Sequence, residues 1–174
     1  EMPLAFVWQP VGEVPKYSVL PLFLGTLKVT IIALLFGAPL AVAAALYTAE
    51  FAKHWVRELV KPTIELLAGI PSVVLGFLAL LVLATWVQDL FGFDYRLNAI
   101  TAGIAMGLAI IPIVYTVTED ALTSVPRTYR EASLALGVPP WKMAWSVVLP
   151  AATPGIFAAL ILRFGRAMGE TVVV

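Results

Sequence analysis

No cysteine occurs anywhere in this sequence, so no disulfide framework can be drawn and the redox compartment cannot be read from it. Histidine is nearly absent too. His54 stands alone in a basic loop, where a solvated side chain is its expected state, and no metal-ligating or nucleophilic constellation surrounds it. No G-x-x-x-x-G-K-[ST] string is present, so the chain is not expected to hydrolyse ATP, and neither a catalytic nor a metal site is expected. Net charge is zero, with eleven basic and eleven acidic residues, which argues against a nucleic-acid partner. Charge itself is scarce: 13% of residues carry one, against about 25% in typical soluble domains.

What fills the space is apolar. Hydrophobic residues make up 61% of the chain, and the mean hydropathy is +0.96. No charged residue falls in 29–49, 66–88, 97–118 or 143–162. A helix rises about 1.5 Å per residue and the hydrocarbon core is about 30 Å thick, so each gap suits one spanning helix. Buried helices of a soluble protein would need polar faces that these runs lack. The expected organisation is a single all-α transmembrane domain with spans at about 22–49, 66–88, 98–118 and 149–174 and a polar loop at about 119–148. Lys53, Arg57 and Lys61 follow the first span, and Arg127, Arg130 and Lys142 follow the third, while loops on the opposite side carry only Lys16 and Arg96. By the positive-inside bias the even-numbered loops are cytoplasmic and the N-terminal segment is outside. The chain opens on Glu1 without a methionine and stops in an apolar run after Glu170, so it is expected to be a piece of a longer protein that lacks spans at both ends.

Within the spans, Gly37, Pro39 and Pro112 are expected to bend their helices, because proline removes a backbone donor. Gly103 and Gly107 form a GxxxG step that admits a close helix, of this chain or of another. Gly69, Pro71 and Gly76 weaken the start of the second span. Freed amides and the Ser72 hydroxyl there either face a polar path or accompany a plain kink. Glu65 is expected as a solvated charge at the cytoplasmic boundary, near Lys61. In the polar loop, Ser124 is the candidate N-cap of a short helix, Pro126 suits its first turn, and Gly137 can adopt the left-handed conformation that closes it. Pro139 and Pro140 stop continuation, and a second helix can begin at Trp141. This reads as a rigid helix-turn-helix knob or, alternatively, as an amphipathic hairpin lying on lipid. On the fourth span, expected to begin near Leu149 or Pro150, Arg163, Arg166 and Glu170 share one face, and Arg166 can pair with Glu170 at i, i+4. An arginine at membrane depth costs at least about 2.5 to 3.5 kcal/mol against lipid, so it should face a polar cavity or a partner unless it snorkels.

Residues 130–150 read REASLALGVPPWKMAWSVVLP. This resembles the EAA loop of ABC-importer permeases, E-A-A-x3-G-x9-I-x-L-P, with Glu131, Ala132, Gly137, Leu149 and Pro150 in register, Ser133 in place of the second alanine and Val147 in place of isoleucine. The strings LPLFLGTLKVT, IELLAGIPSVVLGF and LRFGRAMGETVVV extend the likeness over nearly the whole chain, to phosphate ABC-importer permeases of the PstC type. Leu75 stands where such chains often carry tyrosine. The resemblance implies the helical bundle of a type I ABC-importer permease, with about four to five transmembrane helices present of an expected six. It also implies that the EAA segment, including Glu131, Ala132, Ser133, Gly137, Leu149 and Pro150, docks into a cytoplasmic ATPase. Arg166 and Glu170, with Arg163 and Ser72 as further candidates, would belong to a phosphate path. Expected partners are an ATPase dimer that binds ATP and magnesium, a second PstA-like permease, an extracytoplasmic phosphate-binding protein and the lipid bilayer. The alternatives are a permease for sulfate or molybdate, and a membrane channel or scaffold without transport.

Overall fold

The structure is a computed structural model that describes residues 18–95 and 97–169. The side chains of Ala159, Arg163, Phe164 and residues 166–169 lie outside that description. Helices follow one another as α1 (Val19–Glu50), α2 (His54–Ala68), α3 (Ser72–Leu78), a π turn (Ala79–Leu83), α4 (Ala84–Phe91), α5 (Ala99–Thr123), α6 (Arg127–Ala135), α7 (Pro140–Met143), a second π turn (Ala144–Val148) and α8 (Leu149–Gly169). Among the described residues, four stretches are long and apolar enough to cross a membrane: Val19–Glu50, Ser72–Phe91, Ala99–Thr123 and Pro140–Leu162.

Packing centres on α1 and α5. The buried residues Val29, Ala33, Gly37, Ala41 and Ala45 recur every four positions along α1, so they form one stripe of small and medium side chains. A Cβ built on Gly103 would lie 2.4 Å from Ile32 Cγ2, one on Gly107 would lie 3.2 Å from the Ala33 carbonyl, and one on Gly37 would lie 2.7 Å from the Gly107 carbonyl. The register advances in the same direction on both helices, so α1 and α5 run parallel, and the GxxxG step of α5 packs on a helix of this same chain. Lipid tails are as apolar as leucine, so close backbone approach and dispersion contacts hold such a seam in a bilayer. Both helices continue unbroken through Pro39 and Pro112.

Helix α8 packs against α5, running antiparallel to it, and also meets α1 in the core formed with Ala41, Ala45 and Leu46. Gly155 lies against Ala121, and Ala152 and Ile156 join Val114, Tyr115 and Leu122 in the larger core cluster.

Three expected boundaries move. The second span does not begin at 66: residues 54–68 form a separate amphipathic helix with no buried residue, and the chain breaks at Gly69–Pro71 before α3 starts at Ser72. Proline drives the residue before it out of the helical region, which turns the expected weakening into a full break. Ser124 does not cap α6. It remains helical at the end of α5, where its hydroxyl donates to the Ala121 carbonyl, and α6 starts after Pro126. The last helix starts at Pro140 rather than near Leu149, because a π turn carries α7 into α8 without interruption.

Candidate functional site: the basic end and the last membrane helix

The knob at 127–148 is built by glycine and proline. Gly137 has φ +75°, its amide donates to the Leu134 carbonyl, and the Val138 amide donates to the Ser133 carbonyl. These two bonds form a Schellman closure, which needs a left-handed residue at that position. Val138 then packs on the core cluster, and Pro139 and Pro140 open the next helix with proline at N1. The loop residues singled out by sequence divide into two sets. Ser133 is buried, with its hydroxyl donating to the Tyr129 carbonyl, and Leu149 packs on the core, so both hold the knob to the bundle. Glu131, Ala132, Gly137 and Pro150 face outward, as do Leu136 and Trp141.

Beneath the knob, four helices are stitched by charge. Arg130 of α6 donates from Nη2 to Glu50 Oε1 at 2.6 Å and from Nε to both Glu50 oxygens at 3.2 Å. The same guanidinium donates to the carbonyls of Leu122 at 2.9 Å and Val125 at 2.7 Å, at the end of α5. Arg57 of α2 donates to the Thr48 and Ala49 carbonyls, capping α1 where its dipole is negative. Lys61 of α2 pairs at 3.0 Å with Glu119 of α5, whose side chain is only 3% exposed. The Glu119 hydrogen bond and charge raise the Lys61 pKa above the ordinary 10.5; burial opposes this, and Asp120 and Glu65 add to it. Lys61 therefore stays charged through neutral pH. Its partner is Glu119 rather than the exposed Glu65. His54 is solvated, as expected, beside Glu58.

Glu50 and Glu119 were not singled out from the sequence, and Arg57 was read only as one of the basic residues of its loop. The readable signal was a carboxylate closing an uncharged run at Glu50 and another at Glu119, each at the end of a span that carries basic residues in its following loop.

At the other end of the molecule a cleft of about 420 Å³ lies between α1, the second span and the start of α5, lined by Gly25, Lys28, Gly76, Ala79, Asn98 and Thr101. Asn98 caps α5, its side chain accepting from the Ile100 and Thr101 amides. Ser72 does not line this cleft. It is half-buried at the first position of α3. The side chains of Arg163 and Arg166, and the whole of Glu170, lie outside the described residues, so no contact between them is described. The helix backbone still gives a level for Arg166. It lies eleven residues beyond Gly155, about 16 Å along α8, and eleven residues back from Ala121 on antiparallel α5 is Ile110, near the middle of that span.

Residues 37–174 match the family described as binding-protein-dependent transport system inner membrane component. The chain belongs to that family. By that family it is an inner membrane component of a binding-protein-dependent transport system, and its described residues form a helical bundle with four helices long and apolar enough to cross a membrane. It is 38% identical over 167 residues to the probable ABC transporter permease protein YqgH of Bacillus subtilis (strain 168), an overlap of 96% of this chain and 54% of that protein. It is 33% identical over 186 residues to the phosphate transport system permease protein PstC of Pasteurella multocida (strain Pm70), covering 96% and 58%. The chain thus spans little more than half the length of the curated relatives it matches. Among solved structures, inward-facing MetNI, a methionine ABC transporter, superposes with a TM-score of 0.67 at 21% identity, over 87% of this chain and 68% of that one. At that identity the likeness speaks for the fold alone.

Proposed function

We propose that this chain is the membrane-spanning core of an ATP-driven importer of inorganic phosphate. The observation that supports the reading is the approach of Gly155 to Ala121, from which the helical rise of about 1.5 Å per residue carries Arg166 about 16 Å further along α8. Phosphate is an oxyanion with several acceptor oxygens, and a guanidinium offers a planar fork of donors with a permanent charge. Glu170, four positions later in the sequence, would serve to orient that fork and keep the anion from being held too tightly to leave. Arg163 precedes Arg166 by three residues in the sequence and is a second candidate. The likeness to PstC proteins named for phosphate transport supports the choice of cargo.

In this reading the basic end is cytoplasmic by its arginine and lysine content. The outward-facing residues of the knob dock into a separate ATPase dimer, which binds ATP and magnesium. A second, PstA-like permease and an extracytoplasmic phosphate-binding protein complete the assembly. ATP binding closes the ATPase dimer and moves the knob, and the spans reorient to open the path inward. ATP and the loaded binding protein shift this equilibrium only because each prefers one of the two states.

The test uses the full-length protein assembled with its ATPase, second permease and binding protein in liposomes. Arg166→Gln keeps a polar side chain and removes the fixed charge. Its ATP-dependent phosphate uptake is expected to fall at least tenfold while the complex still assembles. Wild-type uptake by this variant, or competition by sulfate or molybdate as strong as by unlabelled phosphate, would overturn the assignment.

A further inference from the structure

We propose that Arg130 is the positioning residue that joins the knob to the spans, so that α1, α5 and α6 move as one body when the knob is pulled. The inference rests on the proposed importer function and adds the part that transmits force within it.

The geometry is that of a joint rather than of a surface ion pair. Glu50 is 4% exposed and Arg130 is 20% exposed at the side chain. Exposed pairs contribute little because water and salt screen them, whereas a desolvated pair resists separation, since each partner would be left as a buried, uncompensated charge. The guanidinium also does more than pair with one carboxylate. Its Nε and Nη2 hold Glu50 at the last residue of α1, and Nη1 and Nη2 hold the Val125 and Leu122 carbonyls at the end of α5. The C-terminal ends of α1 and α5 and the linker residue Val125 therefore converge on one planar group of α6 with fixed donor directions. A lysine could not do the same, because a point charge on a flexible stem cannot hold a carboxylate and two carbonyls in fixed directions.

The position within the knob makes this joint a transmitter. Arg130 is adjacent to Glu131 and Ala132, which face outward on the surface offered to the ATPase, while its own side chain turns inward. The sole direct covalent route from α5 into α6 is the short segment at 124–126, and α1 has no covalent route to α6 except through the rest of the chain. The guanidinium closes the gap that the backbone leaves open between α1 and the knob. Arg57 and the Lys61–Glu119 pair brace α2 against the same two helices without touching α6.

The experiment measures phosphate transported per ATP hydrolysed in liposomes carrying the complete complex with full-length protein. Arg130→Gln is expected to retain the ATPase and to keep hydrolysing ATP, while the transport ratio falls at least fivefold. Arg130→Lys should fall between the two. These 174 residues contain no cysteine, so in full-length protein with any cysteine outside them replaced by serine, a Glu50→Cys/Arg130→Cys variant can be bridged by a short, reducible thiol cross-linker. Bridging should raise its transport ratio severalfold, and reduction should lower it again, a response that a merely structural role would not give. An Arg130→Gln variant with the wild-type ratio, one that loses the ATPase altogether, or a bridged variant that stays uncoupled would overturn the joint. If the wild-type complex itself hydrolyses ATP without moving phosphate, the importer reading fails instead.

Discussion

The seam between α1 and α5 and the span formed by α3 and α4 are both apolar, yet they are built for different neighbours. Half of the most apolar stretch of α5 is buried within the chain, and 39% of that of α1, whereas only 11% of the second span is covered. In α1 and α5 the small residues face inward, and backbone meets backbone at Gly37 and Gly107. In the second span Val73, Phe77, Leu81 and Trp86 point away from the bundle, and only Ala84 and Val87 are buried. The first region is closed on itself and, at its basic end, further tied by Arg57, Arg130 and Lys61. The second follows a helix break at Gly69–Pro71 and is interrupted midway by the π turn at Ala79–Leu83, beside the 420 Å³ cleft. Interrupted hydrogen-bonding ladders mark places where a membrane helix can be redirected. One half of the molecule is thus suited to carry motion and the other to accommodate it.

The contrast breaks most sharply at Gly37. A Cβ there would sit 2.7 Å from a backbone carbonyl that has no side chain to swing away. Gly37→Leu is expected to destabilise the protein by about 3 kcal/mol, at the upper end of overpacking costs, read as a lower thermal midpoint in detergent. The same change at Gly25, which has nothing within 4 Å of an added Cβ, should be nearly silent. Equal losses at the two positions would mean that the seam is not the tight region.

Much of this was legible in the sequence. Charge-free runs located four spans because an uncompensated charge in lipid is costly, and Gly137 could be read as a left-handed closure because its neighbours form a helix followed by two prolines. The seam partner of Gly103 and Gly107 was not legible, since a GxxxG step says that some helix approaches and not which one. The α2 helix was missed for a related reason. Its apolar residues Trp55, Leu59 and Leu66 merge into the next apolar run, so only the Gly69–Pro71 break separates them, and that break read equally well as a kink. The Glu50–Arg130 pair joins residues eighty positions apart, beyond the reach of any local pattern. For Arg166 and Glu170 the i, i+4 spacing predicts a shared helical face, and the structure adds only the backbone level of Arg166.

A smaller effect sharpens the comparison at the knob. Gly137→Val places a β-branched side chain at φ +75° with open space around it, so its cost is conformational alone, roughly 1–2 kcal/mol. The loss should fall on the knob: ATPase capture by the full-length protein is expected to weaken while the thermal midpoint of the bundle shifts little. A midpoint shift as large as that of Gly37→Leu would show that knob and seam share one cooperative unit.

The division into a carried half and an accommodating half is tested most directly by distances in the working complex. Spin labels at Tyr47 and Thr128, both exposed at the basic end, report on the stitched region, and labels at Thr128 and Leu90 report across to the far end of the second span. Pulsed electron paramagnetic resonance on the full-length protein, with and without ATP, should find the Tyr47–Thr128 distance unchanged and the Thr128–Leu90 distance shifted. A Tyr47–Thr128 distance that changes as much as the other would contradict it.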